Sequence, residues 1–356
     1  MENIKYNKKT EYLEPYIIPV STNNKYKLDM GEWSFPCHNS VLLEIEKFKG
    51  VERYNVMDNE YDLLLSLIKT YNDIKSEILL TNGSDNGLRL LLELFATPES
   101  NFLVPVPSYV HFECMLNTFI VNSVYKPYID YRCSNEEYYN KLNEILNNNN
   151  YDVCYLVNPS MPVGHLLNEE QLINLVSNYK HTVFIIDEAY LEFTEQKTFS
   201  KFVENYKNLI VVKTFSKFFS LASLRIGYTV CSSEVKKLLY PYYNSKDITK
   251  LSINCAIKTL ENINYYLTIK NELNSIKTYL KIELNKLVNS NKITDYILNE
   301  GMYFTIICND PSYVKLIFEE HSIAVRNKNS DITGATRITI DKKDVMEQVI
   351  KILNLL

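Results

Sequence analysis

Lys217 stands in the run Thr214-Phe215-Ser216-Lys217, just beyond an apolar stretch, 209–212, of strand length and composition. Eight residues later comes Arg225, in Leu224-Arg225-Ile226-Gly227. An amine at a strand end, with a hydroxyl and a guanidinium able to give charge-assisted hydrogen bonds to an anion, suits covalent capture of an aldehyde that carries a phosphate. A loop lysine taken alone is most often simply solvated, so the reading rests on the company it keeps. Asp187, in Asp187-Glu188-Ala189-Tyr190, closes a second apolar run at 182–186. A carboxylate there can pair with a protonated pyridine nitrogen and keep the ring electron-withdrawing, while Tyr190 can donate to a phenolic oxygen on the same ring. A turn cap after a strand is the plainer alternative for this aspartate.

Two further segments fit the same ligand. Thr81-Asn82-Gly83-Ser84-Asp85-Asn86-Gly87 precedes an apolar helix that begins near Leu88, so Ser84, Asp85 and Asn86 fall where backbone N–H groups and a hydroxyl can hold a phosphate. An ordinary capped helix is the competing reading. Tyr109, in Pro107-Ser108-Tyr109 after the run 102–106, can stack on an aromatic ring or serve as a core tyrosine. The cofactor that satisfies all of these together is pyridoxal 5′-phosphate, and no spacing of His, Cys, Asp or Glu calls for a metal.

The elements that must position these residues are short β-branched runs at 102–106, 153–157, 182–186, 209–212 and 226–230, with helical patterns between them. Asn168 as N-cap, Glu169 and Glu170 in the first turn and Leu172, Leu175 and Val176 on one face make one such helix. Strands alternating with helices predict an α/β fold with a mostly parallel central sheet covered by helices, whose active site gathers at the carboxyl ends of the strands. The residues 253–288 read as a long helical connector, followed by a smaller α+β unit with strands at 303–307 and 337–340 and a closing helix from Val345. The expected organisation is an N-terminal arm or small-domain segment, 1–40, a large cofactor-binding domain, 41–252, and a small C-terminal domain, 253–356. The arm has little periodicity and is expected to wrap onto the small domain or onto a partner subunit.

Bulk properties narrow the function. The chain has 356 residues, a net charge of −5 and 46% hydrophobic content, with Lys and Arg scattered. No basic surface offers itself to nucleic acid, and no apolar run is long enough to span a bilayer. Seven cysteines without a CxxC pair read as reduced thiols, and the polar N-terminus is no signal peptide, so a cytoplasmic location is expected.

The order of these motifs, from the glycine-led turn through Tyr109, Asn158-Pro159 to Pro162-Val163-Gly164, Asp187 with Tyr190, and Ser216-Lys217 with Arg225, resembles the fold-type I aminotransferases. Within them the chain resembles histidinol-phosphate aminotransferase and the related threonine-phosphate decarboxylase, from about Tyr16 to the C-terminus. The resemblance implies that Lys217, Asp187 and Tyr190 are catalytic, that Arg337 grips a carboxylate or phosphate, and that Arg326 and Tyr16 line the distal end of a phosphorylated substrate. It also implies that Tyr54 is lent to the cofactor phosphate of the other subunit, hence a homodimer with shared active sites. Met161 and Met302 stand where relatives carry asparagine, and a thioether cannot donate a hydrogen bond. The activity implied is transamination of a small phosphorylated amine, ketone or amino acid, with decarboxylation of a phosphorylated amino acid as the alternative.

Overall fold

The computed structural model of the chain describes residues 11–16, 24–32, 34–54 and 57–356. Its centre is a seven-stranded sheet whose spatial order is Glu77–Thr81, Gly227–Cys231, Leu209–Thr214, Val183–Asp187, Val153–Val157, Asn101–Leu103 and Ser123–Tyr125. Six strands point the same way, and Gly227–Cys231 runs against both of its neighbours. The central strands Val153–Val157 and Leu209–Thr214 are buried along their whole length. Burial on both faces is why they read as continuous apolar runs rather than as an alternating pattern. Glu77–Thr81 and Ser123–Tyr125 were not anticipated; the second is three residues long and partly exposed, too short and too polar to stand out as a run.

Helices cover the sheet and begin where the chain supplies caps. Asn168 accepts from the backbone of Gln171, and Gln171 returns a bond to the backbone of Asn168, a reciprocal cap that opens the helix Glu169–Asn178 as expected. The long helical pattern after residue 250 divides into Lys250–Leu260 and Ile263–Asn289. A four-stranded antiparallel sheet follows, in the order Arg326–Asn327, Ala335–Thr339, Tyr303–Ile307 and Asp295–Ile297, and the helix Lys343–Leu353 packs on Ile263–Asn289. The N-terminal segment joins this second sheet's neighbourhood. Tyr26–Lys27 pairs in parallel with Ile323–Ala324, and Thr339 donates its N–H to the Leu28 carbonyl at 2.9 Å. Among the described residues no helix is long and apolar enough to cross a membrane.

The two strands that carry Asp187 and lead to Lys217 are tied together from below. Lys213 lies 3.0 Å from Glu188 and 2.8 Å from Glu192, with all three side chains at least nine-tenths buried. Glu188 also accepts from Thr198 Oγ1 and from the backbone N–H of Phe199, so its remaining lone pairs are used. Removing one partner from such a cluster strands a buried charge. Lys213→Met is therefore expected to lower unfolding free energy by about 3–5 kcal/mol in denaturant titration, and Lys213→Arg by much less.

Candidate active site

Strand register brings the reactive side chains to one edge of the large sheet. Asp187 is the last residue of its strand, flanked by Val157 and Val212. Because Gly227–Cys231 runs backwards, its first residue meets the last residues of its neighbours, Thr81 and Thr214. Arg225 and Ser216 thus arrive beside the start of the helix Gly83–Phe95. Gly227 has a local reason: a Cβ there would come within 2.7 Å of the Lys213 carbonyl and 2.9 Å of the Ser84 nitrogen, so only glycine lets the helix start approach the strand. Gly83 holds φ at +71°, and a Cβ on it would lie 2.5 Å from Arg225 Nη2.

A cavity of about 540 Å³ opens over this edge. Of the residues singled out from the sequence, Tyr16, Ser84, Asp85, Tyr109, Asp187, Tyr190, Ser216, Lys217, Arg225, Arg326 and Arg337 all border it. Two do not. Asn86 turns its side-chain oxygen back to accept the Asn82 N–H at 3.2 Å, which closes the turn rather than facing a ligand. Tyr54 is 78% exposed, beneath the Lys246 ammonium, and away from this chain's own cavity.

At the floor, the Asp187 carboxylate accepts from Tyr155 OH at 3.0 Å and from the Ala189 N–H at 3.0 Å. Burial outweighs those two donors and pushes its pKa up to about 6. A buried carboxylate on a cavity wall with only two neutral donors is suited to a cationic N–H partner. Lys217 Nζ donates to the Met30 carbonyl at 3.1 Å and stands 5.7 Å from the centre of the Tyr190 ring. No carboxylate pairs with it among the described residues, so the amine is available for chemistry. At one end, Arg225 reaches Ser216 Oγ at 3.4 Å and Asp85 at 3.5 Å. Burial works to raise the Asp85 carboxyl, but hydrogen bonds from His111 and Tyr109, with the charges of His111 and Arg225, hold it below the usual carboxylate range. Tyr109 donates to Asp85 at 2.9 Å, and burial together with that charge raises its phenol far above the ordinary value.

The other end carries cations. Arg337 donates to the Asp29 carbonyl at 2.5 Å and lies 3.0 Å from Met161 Sδ, while Arg326 sits 6.0 Å from the Tyr16 ring, which stacks on His111 at 4.6 Å. Asp29, Met30, Glu32, His111 and Lys328 also line the cavity and were missed, as was Tyr155 behind Asp187. Tyr155 left a trace in the sequence, a hydroxyl in the middle of an otherwise apolar strand. The others lie in segments without periodicity.

These residues fit pyridoxal phosphate. A free amine, a buried carboxylate short of donors, and an anion cradle built from the Ser84 helix start, Ser216 and Arg225 stand around one cavity, and the cradle is kept open by the missing Cβ of Gly83. The raised pKa of Asp187 means that the folded, cofactor-free protein holds this proton more tightly than the unfolded chain. Its stability should therefore fall as pH rises from about 4 to about 6 and stay lower above that. Asp187→Asn is expected to remove this fall and to stabilise the cofactor-free protein at pH 8 by about 2–3 kcal/mol, measured by denaturant titration across pH. The same variant should lose affinity for the cofactor.

Comparison with known proteins agrees with the geometry. Residues 21–353 match the family described as Aminotransferase class I and II. A dihydroxyacetone phosphate transaminase of Campylobacter jejuni is 29% identical over 96% of this chain and 95% of its own length. The histidinol-phosphate aminotransferase of Sinorhizobium meliloti, solved in complex with pyridoxal 5′-phosphate, superposes with a TM-score of 0.79 at 19% identity, covering 93% of this chain and 92% of that one. The L-threonine-O-3-phosphate decarboxylase of Porphyromonas gingivalis superposes with a TM-score of 0.78 at 19% identity, covering 93% and 98%. The chain belongs to the class I and II aminotransferases, enzymes that depend on pyridoxal phosphate.

Proposed function

We propose that the protein transfers an amino group between a small phosphorylated amine or amino acid, or the matching phosphorylated ketone, and a second, keto or amino, co-substrate. The observation that carries this reading is the division of one cavity into a cofactor end, with Lys217, Asp187 and Arg225, and a far end with Arg326 and Arg337. The names of the three similar proteins given above contain a phosphate ester, in dihydroxyacetone phosphate, histidinol phosphate and threonine phosphate. A guanidinium pair is well matched to such a group.

When bound, pyridoxal phosphate supplies an aldehyde and a ring that withdraws electrons from the substrate's α-carbon. Asp187 stays buried on the cavity floor and favours positive charge beside it. Lys217 Nζ takes the proton from the α-carbon and holds it as an ammonium, close to the Met30 carbonyl. Tyr190, whose ring lies 5.7 Å from that amine, limits where the amine can swing, and its hydroxyl would donate to the phenolic oxygen of the bound cofactor. Arg326 and Arg337 fix the distal group, so binding energy far from the α-carbon sets the orientation of the bond being broken. Ser84, Ser216 and Arg225 hold the cofactor phosphate.

The working unit is a homodimer in the cytoplasm. Leu42, Leu43 and Ile45 on the helix Asn39–Lys47, with Val51, Tyr54, Met57 and Leu63, are apolar or aromatic side chains left exposed by the single chain. Such a set favours a subunit contact, and exposure of Tyr54 within it supports the role that the resemblance implies, at the cofactor phosphate of a partner.

The test is turnover of the purified holoenzyme with phosphorylated amines. The amine form of the cofactor should accumulate in the absence of a keto acceptor, kcat/KM should fall at least about 100-fold for the same amine without phosphate, and Arg326→Gln should raise KM about 10-fold or more with little change in kcat. Activity indifferent to the phosphate would refute this function. Release of carbon dioxide with no amine-form cofactor would assign the decarboxylase reaction instead.

A further inference from the structure

We propose that Lys328, a third cation beside Arg326 and Arg337, makes the far end of the cavity selective for a doubly charged phosphate monoester over singly charged anions, with Asp331 moderating its charge. This deepens the function proposed above and rests on it. Lys328 follows the strand Arg326–Asn327 and borders the cavity although it is 6% exposed. Its backbone is fixed on both sides. The Lys328 N–H donates to the Ala335 carbonyl at 2.8 Å, and its own carbonyl accepts from the N–H groups of Asp331 at 2.9 Å and Ile332 at 3.0 Å. The turn so formed brings the Asp331 carboxylate back onto Lys328 Nζ.

The charges do not balance by contact. Arg326, Lys328 and Arg337 line one end of the cavity, and among the described residues only Asp331 forms an ion pair with any of them. Asp29 and Glu32 border the same cavity; Arg337 donates to the Asp29 carbonyl, but neither carboxylate forms an ion pair with these cations among the described residues. Burial lowers the Lys328 pKa, Asp331 opposes that effect, and repulsion from Arg337 and Arg326 adds to it. Lys328 and Arg337 are buried and Arg326 is half-buried beside them, and cations that repel one another away from water are stabilised by an anion of matching charge. A phosphate monoester above its second pKa of about 6 carries two negative charges and three acceptor oxygens, so it can meet both guanidinium groups and the ammonium. A carboxylate or sulfate ester brings one charge and leaves the remainder uncompensated. Asp331 positions the Lys328 ammonium and competes with the ligand for it, so its removal should tighten binding.

The experiment is calorimetric titration of the holoenzyme at pH 8 with methyl phosphate and methyl sulfate, the bound cofactor keeping its own phosphate cradle filled. Wild-type protein is expected to bind methyl phosphate at least about 10-fold more tightly than methyl sulfate, and Lys328→Arg to keep that preference. Asp331→Asn should tighten methyl phosphate about 3-fold or more. The double variant Lys328→Met with Asp331→Asn replaces the buried pair without leaving a lone charge, and should bring the two probes within about 2-fold of each other. Equal affinities in the wild type, undiminished preference in the double variant, or weaker methyl phosphate binding in Asp331→Asn would each overturn the proposal. The two readings fail separately. Turnover indifferent to substrate phosphate removes the function, whereas a phosphate preference in turnover that survives unchanged in the double variant removes only the role of Lys328.

Discussion

The site is organised by one awkward charge, the carboxylate of Asp187 held in the protein interior. Burial disfavours its ionised form, and the two donors that reach it, Tyr155 OH and the Ala189 N–H, are neutral and do not compensate fully. Such a group persists because the surrounding structure leaves it nowhere else to go. Its strand is central in the sheet, its neighbours in register are Val157 and Val212, and the next residue, Glu188, is anchored below the sheet by Lys213. A cation at its side would relieve the carboxylate, and bound pyridoxal phosphate would be able to supply one from its ring nitrogen.

Around that charge the cavity is polarised. The cofactor end mixes signs, with Arg225, Asp85 and the helix start at Ser84 sharing hydrogen bonds, so an anion there is held by geometry as much as by net charge. The far end is dominated by cations. Met161, in contact with Arg337, presents a thioether that cannot donate a hydrogen bond.

Much of this was legible in the sequence, for reasons that differ by residue. Asp187 could be read because its parallel strand, mostly buried, is an uninterrupted apolar run that the carboxylate ends, and Lys217 and Arg225 because they fall in the short polar loop between the apolar runs of Leu209–Thr214 and Gly227–Cys231. The helix at Glu169 could be read from its cap. Lys328, Asp29 and His111 could not, because what brings them to the cavity is tertiary. Residues 24–32 are held by backbone hydrogen bonds that leave no side-chain pattern, Tyr26–Lys27 forming a separate two-stranded sheet with Ile323–Ala324, and Lys328 is turned inward by a tight loop that any polar sequence could make. Asn86 was placed at the phosphate turn for its backbone N–H; its carboxamide oxygen accepts from the Asn82 N–H and closes the turn. Short, partly exposed edge strands such as Ser123–Tyr125 exist only because a neighbour pairs with them.

The central claim is that one lysine, set beside Asp187 by strand register, bears the cofactor. Treating the yellow holoenzyme with borohydride, digesting it and locating the added cofactor mass by peptide sequencing tests this directly. The account predicts the label on Lys217 alone. A label on Lys213, Lys328 or any other lysine, or an unlabelled protein that retains turnover, would contradict it.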